Sequence, residues 1–470
     1  MERIILLDEI QFPSTLKHTL AKPKKLFPFL TKNTTHIKGN FNIVISDLAR
    51  SITNLRINNK EFDQVEFHHV EGLNKLSEFI ANSKNIDFPD EAAKVDFIRF
   101  INTYLFDHGN INIIHTYLYN FIGESQPNQS VLRNLSEFVK DVFVAHDEGI
   151  EKIFKDKKTE DILTKLIISE IEKLVETKTK SHEESYSDLL PYMTTAFRED
   201  LKFLMKYKDY FISNFGILLN YYTFMYSIQS LLQFEKFTNG NYEEASPLYF
   251  SLEWEAVTKK RPVASNLFGY KVVKETAFNL YAHEYVLRLL SHNIFNRDDS
   301  GKKEVVGYST LVSKIESHGP KYVEQFTKDL EDLITVYANW HPKHKEPLVV
   351  EQTIEMLLSQ LFSLVKEKMH DDAQLKFGQS IEYLGQGTFL KTRGSLGYLL
   401  NMSHDFLILM TSIIVKDQRI PFKTLLEEFE KRGIKFDRYS VEEIITLFNN
   451  HNILDKKSDS GDVLYVKPIL

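Results

Sequence analysis

Residues 419–466 read RIPFKTLLEEFEKRGIKFDRYSVEEIITLFNNHNILDKKSDSGDVLYV, and the order of elements within them decides the fold. A short extended piece, Arg419-Ile420-Pro421-Phe422, precedes a helix with Leu425, Leu426 and Phe429 on one face. That helix stops at Lys431-Arg432-Gly433: the cationic last turn suits the negative end of the helix dipole, and the glycine supplies the left-handed residue that closes it. Ser440-Val441-Glu442-Glu443 predicts the start of a second helix as a capping box, with the serine oxygen taking the amide three residues on and Glu443 reaching back to the serine amide. Ile444, Ile445, Leu447 and Phe448 make its apolar face. Then come Ile453-Leu454, the turn Ser458-Asp459-Ser460-Gly461-Asp462 and a closing strand, Val463-Leu464-Tyr465-Val466. A charge-poor segment, residues 403–415, lies ahead of all of this. Helix, short strand, helix, helix, hairpin is the order of a winged helix, a module used on DNA or on partner proteins.

Outward from this module, the chain of 470 residues has room for two to four domains and a large buried core. Hydrophobic residues make up 43%, which places it among globular rather than disordered chains. Glycine (18) and proline (13) are scarce, and few chain breakers favour long helices over many short strands. The expected class is mainly α: a multi-helix body with a C-terminal winged-helix domain. Cysteine is absent, which excludes disulfides, thiolate zinc sites, iron–sulfur clusters and cysteine nucleophiles and suits a reducing cytoplasm. The apolar run at Ile4-Ile5-Leu6-Leu7 is too short and too quickly acidic for a secretory signal.

Residues 210–234 carry no charge over about 25 positions, long enough to cross a bilayer. Ser213, Asn214, Asn220, Gln229, Ser230 and Gln233 interrupt the span, so a central core helix is expected and no membrane association. A net charge of −7 gives no global field for nucleic acid, so any DNA contact needs a local basic patch.

Residues 1–90 are the least regular, with a possible strand at Phe41-Asn42-Ile43-Val44-Ile45. Residues 91–384 read as the helical body, with helices over 92–105, 161–175, 201–237, 277–290, 322–337 and 351–368. Surface loops are expected at 237–241, 296–303 and 341–347, and charged, solvated stretches at 155–158 and 178–184. Residues 385–397, Gly-Gln-Gly-Thr-Phe-Leu-Lys-Thr-Arg-Gly-Ser-Leu-Gly, read as a glycine-bearing hinge, and 398–470 as the winged-helix domain. No repeat period suggests a solenoid.

No phosphate-binding Gly-x4-Gly-Lys-Ser/Thr loop, His-Glu-x-x-His or calcium loop occurs, so no catalytic residue, metal ligand or cofactor site is read from the sequence. His68-His69 and His341-x-x-His344 lack carboxylates at helical spacing and read as surface or packing residues. His146-Asp147-Glu148 fits a helix start before Gly149 better than a phosphohydrolase cluster, and His404-Asp405 fits a cap or packing pair. Pro89-Asp90 with Asp156-Lys157-Lys158 lacks the strand context of a nuclease. Lys391 and Arg393, among small residues, could hold a phosphate, or could keep a hinge solvated.

In DNA-binding winged helices the second helix leads into the major groove with its amino-terminal residues. Here that end displays Glu442 and Glu443, which phosphates repel and which suit protein docking. Lys435, Arg438, Lys456 and Lys457 supply positive charge, offset by Asp455, Asp459 and Asp462. DNA, if gripped, would be held at its backbone and without sequence choice.

The run Thr388-Phe389-Leu390-Lys391-Thr392-Arg393-Gly394-Ser395-Leu396-Gly397-Tyr398-Leu399-Leu400-Asn401, with His404-Asp405-Phe406 and the ending Lys456-Lys457-Ser458-Asp459-Ser460-Gly461-Asp462, resembles the DndG (DptG) family over roughly the last 90 residues. The resemblance implies a subunit of a bacterial DNA phosphorothioation-dependent restriction system, an anti-phage defence that damages DNA lacking backbone sulfur. It implies two larger partners with ATPase or translocase domains, in agreement with the missing phosphate loop, and transfers no catalytic residue. Two readings follow: a non-catalytic scaffold or adaptor that docks such partners and grips DNA backbone, or a metal-dependent nuclease or other hydrolase using pairs such as Asp107-His108 and His146-Asp147.

Overall fold

The computed structural model describes residues 3–14, 17–18, 24–57, 74–83, 86–107, 110–123, 125–177, 184–296, 303–340, 353–456 and 463–470, with the backbone alone at Asp107, Asn110 and Lys456. Among these the chain is mainly helical, with 17 α-helices and only short strands, as the scarcity of glycine and proline predicts. Contacts divide it into two compact units: Gly39–Glu183 with Leu201–Leu218, and Met1–Lys38 with Glu184–Asp200 and Leu219–Leu470. This division differs from the four-part reading of the sequence because contacts between distant segments, invisible to a linear scan, draw the boundaries.

The first unit contains α1 (Phe41–Thr53), β1 (Leu55–Ile57), α2 (Lys75–Ala81), α3 (Glu91–Leu105), β2 (Phe106–Asp107), β3 (Asn110–Ile111), α4 (Ser130–Phe138), α5 (Glu148–Lys155), α6 (Ile162–Ile171) and β4 (Val175–Thr177). Asp90, Asp147 and Asp161 start α3, α5 and α6 by accepting amides of the first turn. The segment expected as a strand at 41–45 is instead the start of α1. Its alternation of apolar residues continues as a stripe through Val44, Ile45, Leu48, Ala49 and Ile52, all buried, and this longer 3.6 period prevails. Leu76, Ile80, Ile101, Leu105, Leu118, Phe121, Ile167 and Ile171 build one core beneath these helices.

Further on lie α7 (Pro191–Leu204) and α8 (Lys208–Phe234), two helices where one had been expected over 201–237. The break at residues 205–207 carries neither glycine nor proline. The charge-free stretch of α8 is a core helix, as expected: from Leu219 to Gln229 every side chain is buried. Two of its buried glutamines are satisfied within the fold. Gln229 exchanges hydrogen bonds with the Ser246 backbone at 2.9 and 2.7 Å, and Gln233 takes the Asn241 amide at 2.9 Å. Among the described residues no helix is long and apolar enough to cross a membrane.

The second unit continues with β5 (Leu248–Tyr249), β6 (Ser251–Leu252), α9 (Tyr270–Thr276), α10 (Leu280–Leu290), α11 (Tyr308–Glu316), α12 (Pro320–Trp340), α13 (Ile354–Lys368) and α14 (Asp371–Gly385). Next come β7 (Leu390–Thr392), β8 (Tyr398–Met402), α15 (His404–Val415), β9 (Ile420–Pro421), α16 (Phe422–Lys431), β10 (Ile434–Lys435), α17 (Arg438–Asn450), β11 (Leu454–Lys456) and β12 (Leu464–Val466). Residues 385–397, read as a hinge, are tied into a sheet. Strand β7 pairs antiparallel with β8 (Leu390 opposite Leu400), and β8 pairs parallel with β6 (Ser251 opposite Asn401). Gly394 and Gly397 have φ of 54° and 74° in the turn between β7 and β8, so their conformational freedom serves a tight reversal. At the chain's end β12 lies between β11 and β9, all antiparallel, with Tyr465 opposite Asp455 on one side and Pro421 on the other.

Candidate functional site

The C-terminal helices are held by two buried charge networks, and these determine which side chains face solvent. Helix α16 ends as its sequence predicts, with Gly433 at φ 86°, where a Cβ would lie 2.6 Å from Met225 of α8. Arg432 beside it does more than meet a helix dipole. Its guanidinium grips Asp200 through two nitrogens at 2.8 and 2.7 Å and Glu428 at 2.9 Å, and Tyr222 donates to the same aspartate at 2.5 Å. Asp200 is fully buried, and Tyr221 donates to the Arg432 carbonyl at 2.7 Å.

Between α16 and α17 the backbone is covered. Strand β10 pairs parallel with β5, Ile434 opposite Leu248 and Lys435 opposite Tyr249. Helix α17 then begins three residues earlier than the capping box at Ser440 predicts, because Asp437 takes the N-cap position and accepts the Ser440 amide at 3.1 Å. Ser440 is fully buried inside the helix. Its hydroxyl donates to Glu255 at 2.9 Å and accepts from Arg261 at 2.8 Å. Arg261 also forks onto Asp437 at 2.7 and 2.6 Å and reaches Glu255 at 3.1 Å. Burial alone would raise the Asp437 carboxyl, but the Arg261 guanidinium and the Ser440 amide outweigh it and hold it below its ordinary value. Glu443 is free of any capping duty and accepts the Trp254 indole N–H at 3.2 Å.

Four of the six cations expected to meet DNA, Lys391, Arg393, Lys435 and Arg438, are engaged. Lys391 pairs with Glu253 at 2.8 Å. Arg393 donates to the carbonyls of Leu252 and Glu253 at 2.9 and 3.0 Å, a cation serving a loop end rather than a phosphate. Lys435 lies 3.2 Å from Glu430, and Arg438 pairs with Glu442 one turn along α17 at 2.9 Å. The side chain of Lys456 and the whole of Lys457, with the turn 458–462, lie outside the described residues. What α17 presents outward is Arg438, Tyr439, Glu442, Glu443 and Thr446, with Asn449 and Asn450 at its far end. Tyr439 is 63% exposed beside Arg261, and Trp254 is 41% exposed beside Glu443. Sequence reasoning found the two glutamates but missed Trp254 and Tyr439. It also missed Arg261, which sits in Lys259-Lys260-Arg261-Pro262 and looks like any solvated basic loop.

Pairs with hydrolytic potential serve structure where they are described. Asp147 caps α5 and pairs with Lys202 at 2.6 Å, and Asp90 caps α3. His68, His69, His108, His341 and His344 lie outside the described residues. In the first unit a cavity of about 220 Å³ is lined by His115, Asp156, Lys158 and Lys208 among others. Both nitrogens of His115 are taken, one by the Lys158 carbonyl at 3.1 Å and one by the Tyr117 amide at 3.2 Å, so it offers no free base. Among the described residues no three His, Cys, Asp or Glu side chains converge as a metal-holding group. No family profile matches the chain, and no curated protein matches it.

Proposed function

We propose that this chain is a non-catalytic scaffold subunit of a bacterial DNA phosphorothioation-dependent restriction complex. Residues 398–470 act as a winged helix that docks an ATPase or translocase partner. The order α15, β9, α16, α17, β11, β12, with β9 joined to the hairpin through β12, supports the winged-helix reading. The restriction system itself rests on the resemblance described above.

The observation that favours docking over reading DNA is the seating of α17. At the end that enters a major groove in DNA-binding winged helices, Asp437 and Ser440 are tied down by Arg261 and Glu255, β5 covers the turn before it, and the exposed Arg438 is paired with Glu442. The outward face carries two carboxylates and exposed aromatic rings, a composition suited to a basic, apolar protein surface. Backbone gripping by the hairpin is tested separately: if Lys456→Ala/Lys457→Ala changes neither DNA affinity nor its salt slope in gel-shift titrations, the hairpin does not hold DNA. Co-purification with the ATPase and translocase subunits tests docking, and removal of the residues after Gly397 abolishes the complex on this reading.

A further inference from the structure

Two histidines far apart in the chain meet at the surface of the second unit. His404 opens α15, where Ser403 caps the helix by accepting the Phe406 amide at 3.2 Å. His451 closes α17, its own amide bonded to the Leu447 carbonyl at 3.0 Å. Both backbones are thereby fixed, and the two Nε2 atoms face each other at 3.4 Å across 47 positions of sequence. On the far side of the His404 ring, Nδ1 lies 3.2 Å from Asp405 Oδ1. A carboxylate there holds the Nδ1–H tautomer, which leaves the Nε2 lone pair of the neutral ring aimed at His451.

Two neutral imidazoles in this arrangement share at most one proton between the facing nitrogens. A zinc ion fits the same gap. With Zn–N bonds of about 2.0–2.1 Å, two ligands at the tetrahedral angle stand about 3.3–3.4 Å apart. A right-angled, square-planar arrangement needs roughly 2.9 Å and fits less well. We propose that His404 and His451 form a two-histidine zinc site, with Asp405 as the carboxylate behind His404 and water in the remaining positions. With two protein ligands instead of four, the ion exchanges readily. It ties the start of α15 to the end of α17 and leaves its open positions facing solvent near Trp254, whose ring centre is 6.2 Å from that of His404.

The test is calorimetric titration of zinc chloride into the full-length, untagged chain and into His404→Ala, His451→Ala, the double variant and Asp405→Asn. The wild type shows a saturable site that either histidine variant loses and that Asp405→Asn weakens about 10- to 100-fold. Cobalt in place of zinc gives the intense visible absorption of a four-coordinate ion in the wild type and not in the double variant. Both rings are exposed, so the variants keep the wild-type circular dichroism and thermal midpoint in metal-free buffer. The chain has 16 histidines, so the comparison with the double variant decides. Equal zinc affinity in wild type and double variant, or no binding by the wild type up to about 1 mM, overturns the assignment.

Discussion

Replacing Arg261 by methionine removes the cation at the centre of the α17 seat and keeps its apolar bulk. Asp437 and Glu255 are then left as two buried carboxylates, with side chains 8% and 3% exposed, and only the Ser440 hydroxyl and backbone amides remain to serve them. Breaking a buried pair from one side costs about 3–5 kcal/mol, a factor of roughly 10²–10⁴ in the folded-to-unfolded ratio. By contrast Lys391→Ala breaks a pair whose members are 39% and 49% exposed and costs about 0–1 kcal/mol. Urea unfolding followed by tryptophan emission in a Trp340→Phe background reads the seat locally, since Trp254 is then the single tryptophan. The difference also depends on pH. In the wild type Asp437 titrates below its ordinary value of about 3.9, so its contribution is complete above that pH and fades as the pH falls further. In Arg261→Met burial prevails, the carboxyl moves up and takes a proton earlier, and the gap to wild type narrows in acid. A loss under about 1 kcal/mol at pH 7, or a gap that widens in acid, refutes the reasoning.

Three further outcomes follow from particular contacts. Gly378 of α14 has a Cβ position 2.2 Å from the Ala277 carbonyl oxygen, so Gly378→Ala forces backbone apart and costs about 1–3 kcal/mol or more. Gly387→Ala, at φ 85° in open space, costs about 1–2 kcal/mol, and urea curves in the reverse order would contradict the close packing of α14. His283 is fully buried between the Tyr308 hydroxyl and Glu235, and burial lowers its basicity more than Glu235 raises it. The unfolded chain therefore takes up the proton first as pH falls below about 6.5. The thermal midpoint of the wild type drops more between pH 7.5 and 5.5 than that of His283→Gln, and an equal drop would show that His283 is not the cause. Reversing the outward face, in Glu442→Lys/Glu443→Lys, leaves thermal stability within about 0.5 kcal/mol of wild type but removes partner binding. Unchanged affinity would place the interface elsewhere.

What could be read without a structure was what local signals specify. The α16 stop at Gly433, the α17 stripe and the buried α8 each depend on a few neighbouring residues. Where two local signals competed, the choice depended on remote partners. Both Asp437 and Ser440 are good N-caps, and Ser440 moved inside the helix because Arg261 and Glu255 draw its hydroxyl inward. The glycines at 385–397 suit a hinge or a hairpin equally, and pairing with β6, some 150 residues earlier, made it a hairpin. Site prediction suffered in the same way. Lys391 read as a free cation because its partner, Glu253, is 138 positions away, and Arg432 read as a dipole partner because Asp200 is 232 away.

The outward face of α17, held in place by buried charge, is the proposed protein-binding surface. Size-exclusion chromatography of the purified chain with the proposed ATPase and translocase partners, comparing wild type with Tyr439→Ala/Glu442→Lys/Glu443→Lys, measures that directly. The account predicts a stable complex with wild type that the folded triple variant fails to form. A variant that retains the fold and assembles as the wild type does would contradict it.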